Sequence, residues 1–179
     1  MRLECGCCVL RPWRAGDETS LVRHANDLEI WQNLRDQFPH PYTLADAQGW
    51  IGFASSQPQP TSVAIEVEAQ AVGGVSLRLN EDVERVAAEI GYWLGRAFWN
   101  RGVMTAAVRA MTEYGFAQFA LTRIYAVPFA ANTASHRVLE KAGYAREGIL
   151  RRSAIKDGSV TDQVLFAITD RDLAAKAGA

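Results

Sequence analysis

Two periodicities alternate along this chain. Leu44, Ala47, Ile51 and Ala54 recur at near-helical spacing behind Thr43, a good N-cap, and predict a helix to about residue 55. Residues 17–26 and 28–34 read as a helix followed by a shorter one, and Phe38-Pro-His-Pro-Tyr42 as a loop that its prolines hold extended. Past the break at 57–61, residues 62–68 and 71–79 alternate apolar and polar, with a tight turn near Ala69-Gln70. A polar loop at 80–85 joins them to a third strand, 86–94, which completes an antiparallel meander. Met104, Ala107, Val108, Met111 and Gly115 then form one face of a helix over 102–119.

The remainder predicts a short buried strand at 123–127, a helix at 132–142 ended by Gly143, and strands at 144–150 and 160–168 around a basic hairpin with Asp157-Gly158 at its turn. At the other end, 9–13 reads as an edge strand, because Pro12 would be awkward in a central one. The tail reads as a frayed helix at most. The order β-α-α-β-β-β-α-β-α-β-β implies a single-domain α/β (α+β) fold with a mixed, mostly antiparallel twisted sheet of about seven strands and helices on both faces. Its one parallel crossover is the unit 86–127. The expected division is an extension at 1–8, a domain at 9–169 and a C-terminal tail at 170–179.

Composition narrows the class. Apolar residues make up 49% and charged residues 22% of 179, an ordinary globular profile. The net charge of −1 argues against a general nucleic-acid binder. No apolar run approaches the roughly 20 residues that span a bilayer, so no membrane partner is expected. The N-terminal apolar stretch is short for a secretory signal, and a cytoplasmic location follows as the default. Cys5, Cys7 and Cys8 read either as half of a metal site or as thiols in a reducing compartment. No second cluster follows at ligand spacing, and no metal is expected.

Two segments carry candidate chemistry. The first is Glu89-Ile-Gly-Tyr-Trp-Leu94 with the turn that follows it, through Trp99, Asn100, Arg101, Gly102, Val103, Met104 and Thr105. A strand feeds a helix whose first amides have no internal partner and lie at the positive end of its dipole. Gly102 removes a side chain from the approach to those amides and Arg101 adds charge, an arrangement that suits a pyrophosphate. The alternative is a loop glycine without a ligand. Period two places Glu89, Gly91 and Trp93 on one strand face, where Glu89 either borders a ligand or faces solvent.

The second segment is Asn132-Thr-Ala-Ser135, at the start of the helix closed by Gly143. An amide and a hydroxyl three residues apart there are either capping groups or ligands of a bound molecule. Arg137 and Lys141 share a face of the same helix, either solvated or near a phosphate. Ser135 and His136 are adjacent on a helix, so their side chains diverge and a serine–histidine nucleophile is set aside.

Together the two segments resemble the acetyl-coenzyme A half of the GNAT acyltransferases, specifically the Rim-type (RimJ/RimL-like) branch. Leu10-Arg-Pro-Trp13 and Gly143-Tyr-Ala-Arg-Glu-Gly148 extend the resemblance over about residues 9–169. The family's Gln/Arg-x-x-Gly-x-Gly/Ala pattern, aligned on Gly102, has Trp99 at its first position, as is normal for that branch. Met104 stands at the last small position and departs from the pattern.

The resemblance implies acetyl-CoA as cosubstrate, with its pyrophosphate on the amides of residues 100–105, in a cleft between the strand ending at Leu94 and the strand 123–127. It implies a pantetheine contact at Asn132, with Arg137 either a nucleotide contact or part of a solvated basic face. The residue seven after Asn132, often a thiolate-protonating Tyr in the superfamily, is Leu139. Ser135 is then implied to assist the leaving thiolate, and a backbone N–H near Trp93 or Leu94 to polarise the thioester carbonyl.

The implied reaction is direct attack of a primary amine in a ternary complex, with Glu89, acting through a water, as the leading general base and Glu66 as the second choice. The acceptor is a protein N-terminus or, alternatively, a small-molecule amine such as a polyamine, amino acid or antibiotic. The region around Trp31, Phe38, Tyr42 and Trp50 and the hairpin 150–158 would choose between them. A non-catalytic acyl-CoA sensor is the rival from another class, and a homodimer is compatible with the reading.

Overall fold

The computed structural model describes residues 1–177. Its strands are β1 (Leu3–Glu4), β2 (Val9–Pro12), β3 (Ser62–Val67), β4 (Gln70–Leu79), β5 (Ala87–Leu94), β6 (Arg123–Ala126), β7 (Ala145–Lys156) and β8 (Ser159–Thr169). Its helices are α1 (Glu18–Ala25), α2 (Leu28–Trp31), α3 (Leu44–Ser55), α4 (Val103–Gln118), α5 (Thr133–Ala142) and α6 (Asp170–Ala177). The sheet order is β1-β2-β3-β4-β5-β6-β8-β7, mostly antiparallel, with β5 and β6 parallel. The mixed α/β fold read from the sequence is therefore present, with eight strands in place of about seven. The added strand is β1, at two residues too short to carry a periodicity.

That strand also corrects the reading of β2 as an edge. β1 pairs with β2 only at Leu3↔Leu10 and Glu4↔Val9, so Pro12 lies beyond the pairing and its missing N–H costs no ladder bond on that side. At the other end, the expected tail begins as helix α6; positions 178 and 179 lie outside the described residues.

The chain packs as two compact units, the first Met1–Ser76 with Tyr92–Ala107, the second Leu77–Gly91 with the chain from Val108 onward. In the first, Trp13, Leu21, Ala25, Tyr42, Ala47, Ile51 and Ala54 form an apolar core, with Phe38, Trp50 and Trp93 packed against it. The aromatic residues considered as acceptor contacts, Phe38, Tyr42 and Trp50, thus take part in core packing. Thr43 caps α3 through a complete capping box with Asp46. The β3–β4 hairpin turns at Glu68 and Ala69, both with positive φ, one residue earlier than the sequence suggested.

A buried ion cluster fastens this unit. Arg11 on β2, itself 4% exposed, donates through both terminal nitrogens to Asp17 at 2.7 and 2.8 Å and through Nε to Glu66 on β3 at 2.5 Å. The hydrogen bond from Arg11 holds the Glu66 carboxyl below its ordinary range. Glu66, the second-choice general base, is thus committed to joining β2, β3 and the start of α1.

In the second unit, Ile124, Met111, Leu139, Phe166 and Ile168 are fully buried. The face read for α4 is inside: Met111 and Val108 are wholly covered, and a Cβ on Gly115 would lie 2.7 Å from the Leu77 side chain. Thr112 and Tyr144 share a buried hydrogen bond of 2.7 Å that ties α4 to the entry of β7. β7 runs six residues past its expected end. Register shifts at Arg146/Gly148 and Leu150/Ala154 break the alternation that would have announced it.

Replacing Arg11 with Met should destabilise the fold by about 3–5 kcal/mol in urea unfolding, because two carboxylates are left without their buried partner. The sign of the pH dependence follows from Glu66. With its folded pKa depressed, its stabilisation is complete above the ordinary carboxylate range and is lost as pH falls through the folded value. The Arg11→Met variant should therefore lose less stability between pH 6 and acid than the parent does; an equal loss would exclude this contribution.

Candidate active site

The first part of the site is the end of β5 and the turn into α4, both within the first unit. Two strand glycines set it up. A Cβ at Gly73 would lie 2.5 Å from the Trp93 carbonyl oxygen, and one at Gly74 would lie 3.1 Å from the Trp93 indole nitrogen. β5 therefore lies against β4 more closely than a Cβ at Gly73 would allow. The Gly95 N–H completes the seat by donating to the Val72 carbonyl at 2.8 Å.

From there the chain turns. Trp99, at the first position of the family pattern, donates its indole N–H back to the Leu94 carbonyl at 2.7 Å and so closes the turn. Asn100 and Gly102 both have positive φ, 59° and 78°. The Gly102 carbonyl accepts the Ala106 N–H at 3.0 Å, which makes Gly102 the cap residue of α4. The amides of Val103, Met104 and Thr105 precede that first intrahelical bond, so they are the donors a helix leaves to a ligand or water.

A Cβ on Gly102 would meet nothing within 4 Å. The left-handed backbone at this position favours glycine, and the space above it is open. The Met104 side chain is buried, so the departure from the family's small residue points inward and adds no bulk above the turn. Arg101 lies over the Phe98 ring at 5.4 Å, a cation held beside the turn.

The second part lies in the other unit. Asn132 accepts the Ser135 N–H through Oδ1 at 3.0 Å and caps α5; Gly143, at φ 98°, ends it. The capping role read for Asn132 is therefore present. It engages only the carbonyl half of the side-chain amide, and the NH2 half can donate elsewhere. Ser135 is half-buried in the first turn. Leu139 is fully buried, so the position that often carries a phenol in the superfamily belongs to the core. His136 is engaged with the Phe129 carbonyl at 3.2 Å and packs on Phe166, consistent with setting aside a serine–histidine pair. Arg137 is exposed, while the Lys141 carbonyl accepts from Arg109.

Glu89 also lies in this unit. Its side chain is only 11% exposed and is ion-paired through Oε2 with Arg78 on β4. The parallel pairing of β5 with β6 runs Ala87↔Arg123, Ala88↔Ile124, Glu89↔Tyr125; β6 ends one residue later while β5 continues to Leu94. Glu89 thus sits where the ladder approaches its end.

Trp93, Leu94, Trp99, Asn100, Arg101, Gly102, Val103, Met104 and Thr105 are brought together in one unit, and Asn132, Ser135 and Arg137 in the other. Sequence reasoning missed Gly73, Gly74 and Arg78. Paired glycines inside an alternating strand were a readable signal of close backbone approach; the Arg78–Glu89 pair had none.

Comparisons with known proteins bear on the family of the chain. The model of the Acetyltransferase (GNAT) domain family matches residues 8–145. The uncharacterized N-acetyltransferase p20 of Bacillus licheniformis is 37% identical over 172 residues, covering 93% of this chain and 94% of that one. YjcK of Bacillus subtilis, described as a probable N-acetyltransferase, is 42% identical over 85 residues, and there the chain spans about half of its relative (48% of this chain, 47% of YjcK). Among solved structures, Mycobacterium smegmatis RimJ in complex with CoA-disulfide superposes with a TM-score of 0.77 at 26% identity, covering 98% of this chain and 92% of that one. The chain belongs to the GNAT acetyltransferases, a family of acetyl-transferring enzymes.

Gly102→Asn separates ligand approach from backbone strain, since Asn tolerates left-handed φ. The variant should unfold near the parent's urea midpoint yet bind coenzyme A about tenfold or more weakly, the equivalent of one charge-assisted hydrogen bond. Unchanged affinity by calorimetry would remove this turn from the site.

Proposed function

We propose that the chain transfers the acetyl group of acetyl-CoA to the primary amine of a protein N-terminus, in the manner of the Rim-type branch. The observation that carries the branch is the first turn of α5. Asn132 caps the helix, Ser135 presents a hydroxyl there, and the position a phenol would occupy is the buried Leu139. RimJ, a neighbour by fold over nearly the whole chain, supports the same reading.

In this proposal the pyrophosphate takes the amides of Val103, Met104 and Thr105 with Arg101 beside them, and Arg137 meets the nucleotide end. The Asn132 side-chain NH2 donates to the pantetheine arm. The acceptor amine attacks the thioester carbonyl carbon, whose oxygen is polarised by a backbone N–H near Trp93 or Leu94. The C–S bond breaks, and Ser135 donates a hydrogen bond to the departing thiolate at the positive end of α5. The amine's proton passes through a water to Glu89, whose carboxylate is ion-paired through Oε2 with Arg78. Glu66 is the poorer candidate because Arg11 holds it.

A thiol-release assay tests the acceptor. Peptides with N-terminal Ser or Ala should turn over faster than spermidine or free amino acids at equal concentration; a small amine that surpasses every peptide would overturn the protein-acceptor reading. Failure of every amine, with coenzyme A still bound, would point to an acyl-CoA sensor.

Ser135→Ala should lower kcat more than it raises KM for acetyl-CoA, because thiolate charge appears late in the reaction. The cap accepts the Ser135 backbone N–H, which alanine keeps, so melting should be nearly unchanged. Normal turnover in this variant would remove the hydroxyl from the mechanism. Glu89→Gln should abolish the rising limb of the pH–rate profile with coenzyme A affinity retained, and a profile identical to the parent's would show that Glu89 is not the base.

A further inference from the structure

The proposed acetyl transfer does not use the N-terminal cysteines, yet the fold arranges them closely. β1 and β2 are antiparallel with Glu4 opposite Val9, so the next cross-strand pair is Cys5 and Cys8, closed by the two-residue loop Gly6-Cys7. The Cys5 N–H donates to the Cys8 carbonyl at 2.8 Å, and Gly6, at φ 76°, makes the turn.

Residues directly opposite in an antiparallel pair project to the same face, with Cα atoms about 5.5 Å apart when hydrogen-bonded. That lies within the roughly 4.4–6.8 Å that a disulfide spans. The burial pattern shows which face it is: Leu10 and Cys8 are buried and Leu3 and Cys5 are half-buried, whereas Glu4, Gly6 and Cys7 are exposed. All three cysteines are in the thiol form. The Cys5 thiol is the foremost neighbour acting on Cys8, which together with burial pushes the Cys8 thiol up. The Cys8 sulfur also faces the Val103 carbonyl at 3.9 Å, on the first residue of α4.

We propose that Cys5 and Cys8 are a modification site: a dithiol that low-molecular-weight disulfides convert to an intramolecular cross-strand disulfide. Cys5, the more accessible of the two, attacks one sulfur of the small disulfide as its thiolate; a Cys5 mixed disulfide forms and one small thiolate leaves. Cys8 loses its proton to solvent and attacks the Cys5 sulfur. The protein S–S bond forms, the mixed S–S bond breaks and a second small thiol departs, so two protein thiols are oxidised and one small disulfide is reduced to two thiols. The Cys8 S–H is consumed in this step, and the Val103 carbonyl loses that neighbour as a donor.

The test incubates the full chain with oxidised glutathione, quenches with a thiol-blocking reagent and maps peptides by mass spectrometry. The expected product is a monomeric chain, two hydrogens lighter, with Cys5 joined to Cys8, Cys7 alkylated, and full reversal by dithiothreitol. Amide exchange at the start of α4 should rise in the oxidised form and return on reduction. Cys5→Ser should abolish the intramolecular product, while Cys7→Ser should leave it at the parent's yield; Cys5 is half-buried, so its serine variant keeps the fold intact for comparison. A disulfide through Cys7, a chain-to-chain disulfide, a glutathione adduct that never resolves, or an unchanged yield in Cys5→Ser would each overturn the assignment.

Discussion

The passage from β5 into α4 depends on how closely that strand can lie against β4. Gly73 and Gly74 allow an approach that a single methyl group would forbid, since a Cβ on Gly73 would fall 2.5 Å from the Trp93 oxygen and 3.1 Å from the Leu94 Cα. With the strand seated there, Gly95 bonds back to Val72, Trp99 bonds back to Leu94, and the chain enters α4 through a left-handed Gly102. Each step fixes the next. The direction in which the first amides of α4 point is the product of that sequence of short-range constraints.

The same economy holds at α5. A capping residue and a ligand-binding residue are often treated as competing explanations for one asparagine. Here the side-chain carbonyl of Asn132 serves the Ser135 N–H, and the NH2 on the same carbon remains chemically suited to a carbonyl of the cosubstrate. Capping places Ser135 in the first turn, where negative charge is favoured. The structural role thus prepares the proposed chemical one.

Local chemistry made much of this legible in the sequence. Thr43 announced α3, the apolar face of α4 announced its burial, and Asp157-Gly158 announced the turn between β7 and β8. Long-range pairing did not announce itself. Glu66 reads as an available carboxylate until the fold brings Arg11 to it across 55 positions, and Glu89 gives no hint of Arg78. β1 is too short for any period, and the irregular registers of β7 hide its length. Within the candidate site, the turn glycine and the Asn–Ser spacing were readable because backbone demands dictate them, whereas the engagement of each carboxylate was not.

The central claim is the proposal that the first amides of α4 hold the cosubstrate's pyrophosphate. Amide NMR during a titration with coenzyme A tests it most directly. The account predicts that Val103, Met104 and Thr105 shift together along a single saturation curve, with one dissociation constant. Amides of that turn that stay unshifted at saturation, or that saturate at different concentrations, would contradict it.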